Sequence, residues 1–147
     1  MFILTAREEE RDNGCIVNTC FQVSENPTKL AISVQMGNLT RQMIERTGKF
    51  NISVLTEQVP FETIRHFGMQ TGDEVDKFQG IAGKKRGSNG IYYMTEHTNA
   101  MFSCKVLEKV SLGSHMMFIG EIVTGKVLSK APSCTYAYYH KAIKPKL

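Results

Sequence analysis

A mostly antiparallel β-barrel with short helical insertions is the architecture this sequence predicts, on three observations. Apolar and polar residues alternate over many short segments, the period of half-buried strands. Only two or three segments follow helical spacing, and each is short. Glycine and Asn/Pro clusters punctuate the chain at turns and bends. The 147 residues suit one domain, 1–147, built on a single core.

The first residues, MFILTAREEERD, open with a short apolar strand at Phe2, Ile3 and Leu4. It is expected to pair with a strand from Cys15, with Asn13 and Gly14 as the turn. The stretch 14–48 then reads strand, turn, strand, loop, helix. In its first strand Cys15, Val17, Phe21 and Val23 share one face and Ile16, Asn18, Cys20 and Gln22 the other. The first face is core. The second aligns an amide, a thiol and an amide, which suits either the edge of a polar heterocycle or a plain solvated strand. Glu25, Asn26 and Pro27 make a turn. Leu30, Ile32, Val34 and Met36 alternate with Ala31, Ser33 and Gln35 in the next strand. Asn38 is placed to cap a helix that Gly48 closes.

Phe50, Ile52 and Val54 mark a third strand, with Asn51, Ser53 and Leu55 facing the other way. Pro60 sits near a helix start and Gly68 ends that helix. Residues 71–74, Thr-Gly-Asp-Glu, read as a turn into a further helix with acids in its first turn. Residues 80–90 carry four glycines around Lys84, Lys85 and Arg86, the signature of an exposed loop. Residues 91–94 are a short strand. Ala100, Phe102, Cys104 and Val106 line one face of another. Leu112, Gly113 and Ser114 turn the chain into a long strand from His115, which Gly120 and Gly125 bend or bulge. The tail, 135–144, is aromatic and basic, suited to packing or a subunit contact. Met36, Met43, Met69, Met116 and Met117 read as core filler.

Composition narrows the function classes. The chain is 41% hydrophobic and 22% charged, an ordinary globular balance, and its formal charge of +4 favours an anionic ligand. A barrel binding single-stranded nucleic acid predicts aromatics interleaved with Lys and Arg, and the cluster at 84–86 lacks them. No apolar run approaches the ~20 residues that span a bilayer. Cys15, Cys20, Cys104 and Cys134 form no C-x-x-C pair and no zinc spacing, and His66, His97 and His140 add no ligand pattern, so no metal site is expected. Reduced thiols and the lack of a signal peptide point to the cytoplasm.

The chemistry-bearing residues are few. The helix opening at Asn38, Leu39 and Thr40 offers a hydroxyl beside free backbone N–H groups, where a phosphate is stabilised. Arg41 in the first turn opposes the helix dipole, a cost that a bound anion reverses; the alternative is a capped helix with a solvated arginine. Cys20 reads as a contact residue or a small buried hydrophobe rather than a nucleophile. His115 is either a proton donor at a site or a hydrogen-bonded strand histidine. No Ser-His-Asp order or carboxylate pair stands out.

The order G-x-x-x-N-T-x-x-Q-V, a proline, a strand ending before N-L-T, and then G-K-F-N-I-S-V-L resembles the flavin reductase-like family of FMN-binding split barrels. The likeness is strongest to the flavin domain of high-molecular-weight rubredoxins and to flavoredoxins. RHFGMQTGDEVDKF at 65–78, LGSHMMFIGEIV at 112–123 and TYAYYHKAIK at 135–144 agree in order. The resemblance implies a split β-barrel and an oxidoreductase that uses FMN, with NAD(P)H as reductant and a flavin, ferric iron or a redox protein as acceptor; a non-catalytic FMN electron carrier is the alternative. It also implies a homodimer with FMN near the subunit interface. Asn18, Thr19, Cys20 and Gln22 would line the ring, Asn38, Leu39 and Thr40 would hold the phosphate, and His115 in Gly-Ser-His would lie near the flavin and nicotinamide. The family commonly carries a basic residue where this chain has Asp73, which leaves Lys77 as the compensating cation. Against the family, a shorter N-terminal cover and no rubredoxin domain with its four iron-binding cysteines are expected.

Overall fold

The computed structural model describes residues 1–147. Seven strands form one antiparallel sheet: β1 (Phe2–Glu8), β2 (Arg11–Val17), β3 (Cys20–Glu25), β4 (Thr28–Gln35), β5 (Lys49–Leu55), β8 (Thr98–Ser111) and β9 (His115–Val127). Their order is β2-β1-β5-β8-β9-β4-β3. β2 and β3 are therefore the two edges, yet only Asn18 and Thr19 separate them in the chain. The three Cα–Cα steps from Val17 to Cys20 span at most about 10 Å, so the sheet curls until its edges meet at that seam, giving a barrel closed by chain and left unpaired between β2 and β3. A second sheet is the hairpin β6 (Lys84–Arg86) and β7 (Tyr92–Met94). The helices are α1 (Leu39–Thr47), α2 (Phe61–Gly68) and the short α3 (Tyr136–Tyr138), which runs into a π-helical turn at Tyr139–Ile143.

Alternation along the strands separates two apolar clusters. Leu4, Ala6, Cys15, Val17, Ile32, Phe50, Ile52, Cys104 and Phe118 fill the barrel interior with Met43 and Ile44 of α1. Ile3, Leu55, Ile64, Phe67, Phe78 and Tyr139 pack outside it, beneath α2 and the C-terminal turn. The faces expected for β5 and β8 hold: Phe50, Ile52, Phe102, Cys104 and Val106 all reach the interior. Gly120 is a close approach, since a Cβ there would lie 2.8 Å from the Phe50 ring. The register shifts fall beside it, between Ser103 and Cys104 and between Val106 and Glu108.

Five sequence expectations need correction. The turn between β1 and β2 is at Glu9 and Glu10, and Asn13 and Gly14 lie within the strand, opposite Ala6 and Thr5. The predicted strand through Asn18 is two strands, because the chain turns the seam there. The break resets the alternation: Cys20 packs against the barrel interior, while Phe21 and Val23 are 54% and 45% exposed on edge strand β3. Residues 71–80 form successive turns and no helix. Residues 84–86 are a strand, held over the barrel wall by Thr5 Oγ1 donating to the Tyr92 carbonyl (2.6 Å) and Ser53 Oγ accepting from the Met94 amide (3.0 Å). Met69 is 58% exposed rather than core.

Candidate functional site

Local sequence sets α1 as expected. The Asn38 side chain accepts from the Thr40 amide at 2.8 Å, and Gly48 ends the helix at φ 72° with its amide on the Ile44 carbonyl. The Asn38 amide itself is taken by the Gln35 carbonyl. A helix leaves its first N–H groups without internal acceptors, and the Leu39 and Arg41 amides remain at this mouth. Arg41 is neither solvated nor turned toward the helix mouth as a free cation. Its Nε donates to the Met36 carbonyl at 2.9 Å, and its Nη1 pairs with Glu45, which also takes Lys109 at 3.0 Å. The helix-dipole cost is met by a carbonyl and a carboxylate one turn on.

Two hollows share the wall formed by Gln35, Asn38 and Gly68. The first, about 270 Å³, is lined by Ile16, Val17, Asn18, Ser33, Val34, His115 and Tyr136 among others. β4–β9 pairing sets Gln35 directly opposite His115, which is how the end of one strand and the start of another reach a single cavity. The second, about 430 Å³, runs along the α1 mouth past Leu39, Gln70, Thr71 and Lys77. No carboxylate lines either one. A third hollow, of about 930 Å³, adjoins the second at Gly72 and carries seven carboxylates against Arg11 and Lys84. An anion is thus accommodated in the first two and repelled by the third.

The predicted site residues divide accordingly. Asn18, Asn38 and His115 meet in the first hollow, and Asn38, Leu39 and Lys77 in the second. Thr19, Cys20, Gln22 and Thr40 line neither. Thr19 donates to Asn18 Oδ1 at 3.2 Å, and Gln22, on the exposed edge strand, donates to the Ser24 carbonyl. Thr40 is fully buried behind the mouth, where its Oγ1 accepts from Asn13 Nδ2 at 3.0 Å. Lys77 is buried, with its ammonium on the Gly14 carbonyl (2.7 Å) and the Phe67 carbonyl (2.8 Å). It reaches the hollow as a wall cation rather than a free surface one. Burial lowers its pKa, opposed by the Cys15 thiol.

Sequence reasoning missed Asn13, Gln35, Gly68 and Tyr136. Gln35 was visible as the last residue of the strand that leads to the helix cap, whereas Asn13 was hidden by its likeness to a turn residue. Asn13 Oδ1 is buried without a partner, and a Cβ on residue 72 would lie 2.3 Å from it, so any side chain at 72 would displace Asn13. Burial pushes the Cys15 thiol up to about 11, and those of Cys20 and Cys104 up to about 12, which disfavours their thiolates. His115 Nδ1 lies 2.8 Å from the Ser114 hydroxyl. When that hydroxyl donates, the neutral ring carries its proton on Nε2, which has no partner of its own in the chain.

The wall fits a flavin nucleotide on three counts. It has an apolar slot at Ile16, Val17, Val34 and Tyr136, amides at Asn18 and Gln35 for a polar ring edge, and a carboxylate-free helix mouth with a buried ammonium for a phosphate. No group of His, Cys, Asp or Glu is arranged to hold a metal ion, and no helix is long and apolar enough to cross a membrane.

Comparison with known proteins identifies the family and the fold. The high molecular weight rubredoxin of Moorella thermoacetica is 38% identical over 141 residues, covering 96% of this chain and 61% of that protein, so the chain spans about three-fifths of that relative's length. The ferric-chelate reductase (NAD(P)H) of Archaeoglobus fulgidus is 35% identical over 146 residues, covering 99% of this chain and 86% of that one. Among solved structures, the NADH:FAD oxidoreductase of Streptomyces globisporus C-1027 superposes with a TM-score of 0.81 at 22% identity, covering 90% of this chain and 77% of that one, a likeness of fold. The model of the flavin reductase like domain matches residues 1–146. Barrel, seam and matched span together place the chain in the flavin reductase-like domain family.

Proposed function

We propose that this chain is an FMN-dependent oxidoreductase that takes reducing equivalents from NAD(P)H and passes them to a flavin, ferric iron or a partner redox protein. The observation that carries the proposal is the convergence of Asn18, the Asn38–Leu39 helix mouth and His115 on one carboxylate-free groove. Bound FMN would supply the redox chemistry, and no protein nucleophile is needed. The chain's own part is to bind and orient. The Leu39 amide, the α1 dipole and the Lys77 ammonium favour a phosphate. Asn18 and Gln35 offer amide hydrogen bonds to the ring edge. His115 Nε2–H is the proton donor at the mouth of the first hollow, held in place by Ser114. The ferric-chelate reductase and NADH:FAD oxidoreductase relatives support turnover.

The second reading is an FMN electron carrier that turns over no small substrate, favoured by the rubredoxin relative. In either case we place the protein in the cytoplasm, as a homodimer. Phe21, Ala31 and Ile119 share one row of the outer sheet face, and Ser33, Met117 and Val110 the next, beside His115. Phe21, Val110 and Leu112 are 54%, 43% and 54% exposed there, an apolar patch suited to a second copy.

Anaerobic mixing of the FMN-loaded protein with NADH or NADPH tests both readings. Rapid bleaching of the flavin, slowed about tenfold or more in His115→Ala with FMN affinity retained, is the expected result for a positioned proton donor. Normal FMN binding without bleaching by either nucleotide selects the carrier. Absence of flavin binding overturns both.

A further inference from the structure

We propose that the carboxylates around the third hollow make this groove select a flavin mononucleotide over a flavin adenine dinucleotide, an inference that rests on the flavin site proposed above. The three hollows run in series. The His115 hollow shares Gln35, Asn38 and Gly68 with the helix-mouth hollow, which shares Gly72 with the acidic one. The chain crosses that last boundary twice, from Asn13 back to Asp12 and from Thr71 on to Asp73. A ligand with its ring at Asn18 and His115 and its first phosphate at Leu39 ends before the boundary. An extension that continues along the groove away from His115 enters the acidic hollow.

The charges there are largely uncompensated. Asp12 is neutralised by Arg7 (2.8 Å) and Arg86 (2.7 Å), and Glu8 by Arg46. Asp73 has only Arg11, at 3.8 Å, and that guanidinium also donates to the Gly72 carbonyl at 2.9 Å. Glu9, Glu10, Glu74 and Asp76 take part in no ion pair. A mononucleotide keeps all of its phosphate charge at the helix mouth, beside Lys77. A dinucleotide puts one charge at the mouth and carries the second toward Asp73 and Glu74, where like charges repel it within a Debye length of about 10 Å at 0.1 M salt.

Flavin titrations by fluorescence quenching, at low and at about 0.5 M salt, test the inference on the protein itself. The wild type is compared with Asp73→Asn/Glu74→Gln and with Glu9→Gln/Glu10→Gln, all exposed positions. The expected result is FMN tighter than FAD by about tenfold or more at low salt. That ratio should shrink about threefold or more in the Asp73/Glu74 variant and in high salt. Equal affinity in the wild type overturns the inference, as does a preference that neither variant pair alters; in both cases the flavin site stands. If neither flavin binds, the site itself fails and the inference fails with it.

Discussion

The hollow at the α1 mouth and the hollow at residues 8–12 and 73–76 meet at Gly72, yet they are opposite in character. One has a helix N-terminus, side-chain amides and a buried ammonium on its wall, with no carboxylate. The other is larger, and acids outnumber cations on it. Size alone points to the second and chemistry to the first. The comparison shows that, for an anionic ligand, the sign of the wall decides between neighbouring cavities before their volume does.

Lys77→Met should break the contrast most severely. It strands the Gly14 and Phe67 carbonyls and removes the only side-chain cation on the mouth wall. A stability loss of about 3 kcal/mol is expected in urea unfolding, since each buried acceptor left unpaired costs about 1–3 kcal/mol. FMN affinity should also fall relative to riboflavin, which has no phosphate; an unchanged ratio would remove Lys77 from the phosphate end. Gly72→Ala attacks the boundary itself. Its Cβ overlaps Asn13 Oδ1, and overpacking of this kind costs about 2 kcal/mol. A thermal midpoint equal to the wild type would show that Asn13 moves aside freely.

Asn38→Ala removes the α1 cap and should cost about 1 kcal/mol in the same unfolding assay. Asn38→Asp keeps a cap acceptor but adds a negative charge to a wall that has no carboxylate, so it should retain stability and lose FMN affinity. Retained affinity would mean that the wall's sign is irrelevant. The smallest effect concerns two ion-paired carboxylates, Glu8 on the acidic hollow and Glu45 on α1. Arg46 beside Glu8, and Lys109 and Arg41 beside Glu45, hold both carboxyl groups below their ordinary value of 4.5. A lowered folded pKa contributes stability that is present above the unfolded value and lost as pH falls through the folded one. Stability should therefore decline below about pH 4.5, and Glu8→Gln/Glu45→Gln should flatten that decline. Both groups are surface pairs, so the change is small.

The barrel interior was legible because β5, β8 and α1 carry their instructions locally: alternating apolar residues, an asparagine cap and a glycine stop. Phe21 and Val23 were misread for a physical reason. The chain leaves one edge of the sheet and enters the other at Asn18 and Thr19, with neither glycine nor proline to mark the change. Alternation carries across such a break only if the chain stays straight. The site was legible where one element supplies it, as at Asn38 and His115. It was hidden where remote partners decide, as when Asn13 is held at the α1 mouth by Thr40, 27 residues on, and Tyr136 arrives from the C-terminal turn.

The passage from Val17 to Cys20 is a covalent clasp on a hoop whose other joints are hydrogen-bonded ladders. Asn18 is part of the clasp and part of the ligand wall at once. Barrel girth and cavity width are consequently one mechanical variable: lengthening the clasp by a residue or two would slacken both together.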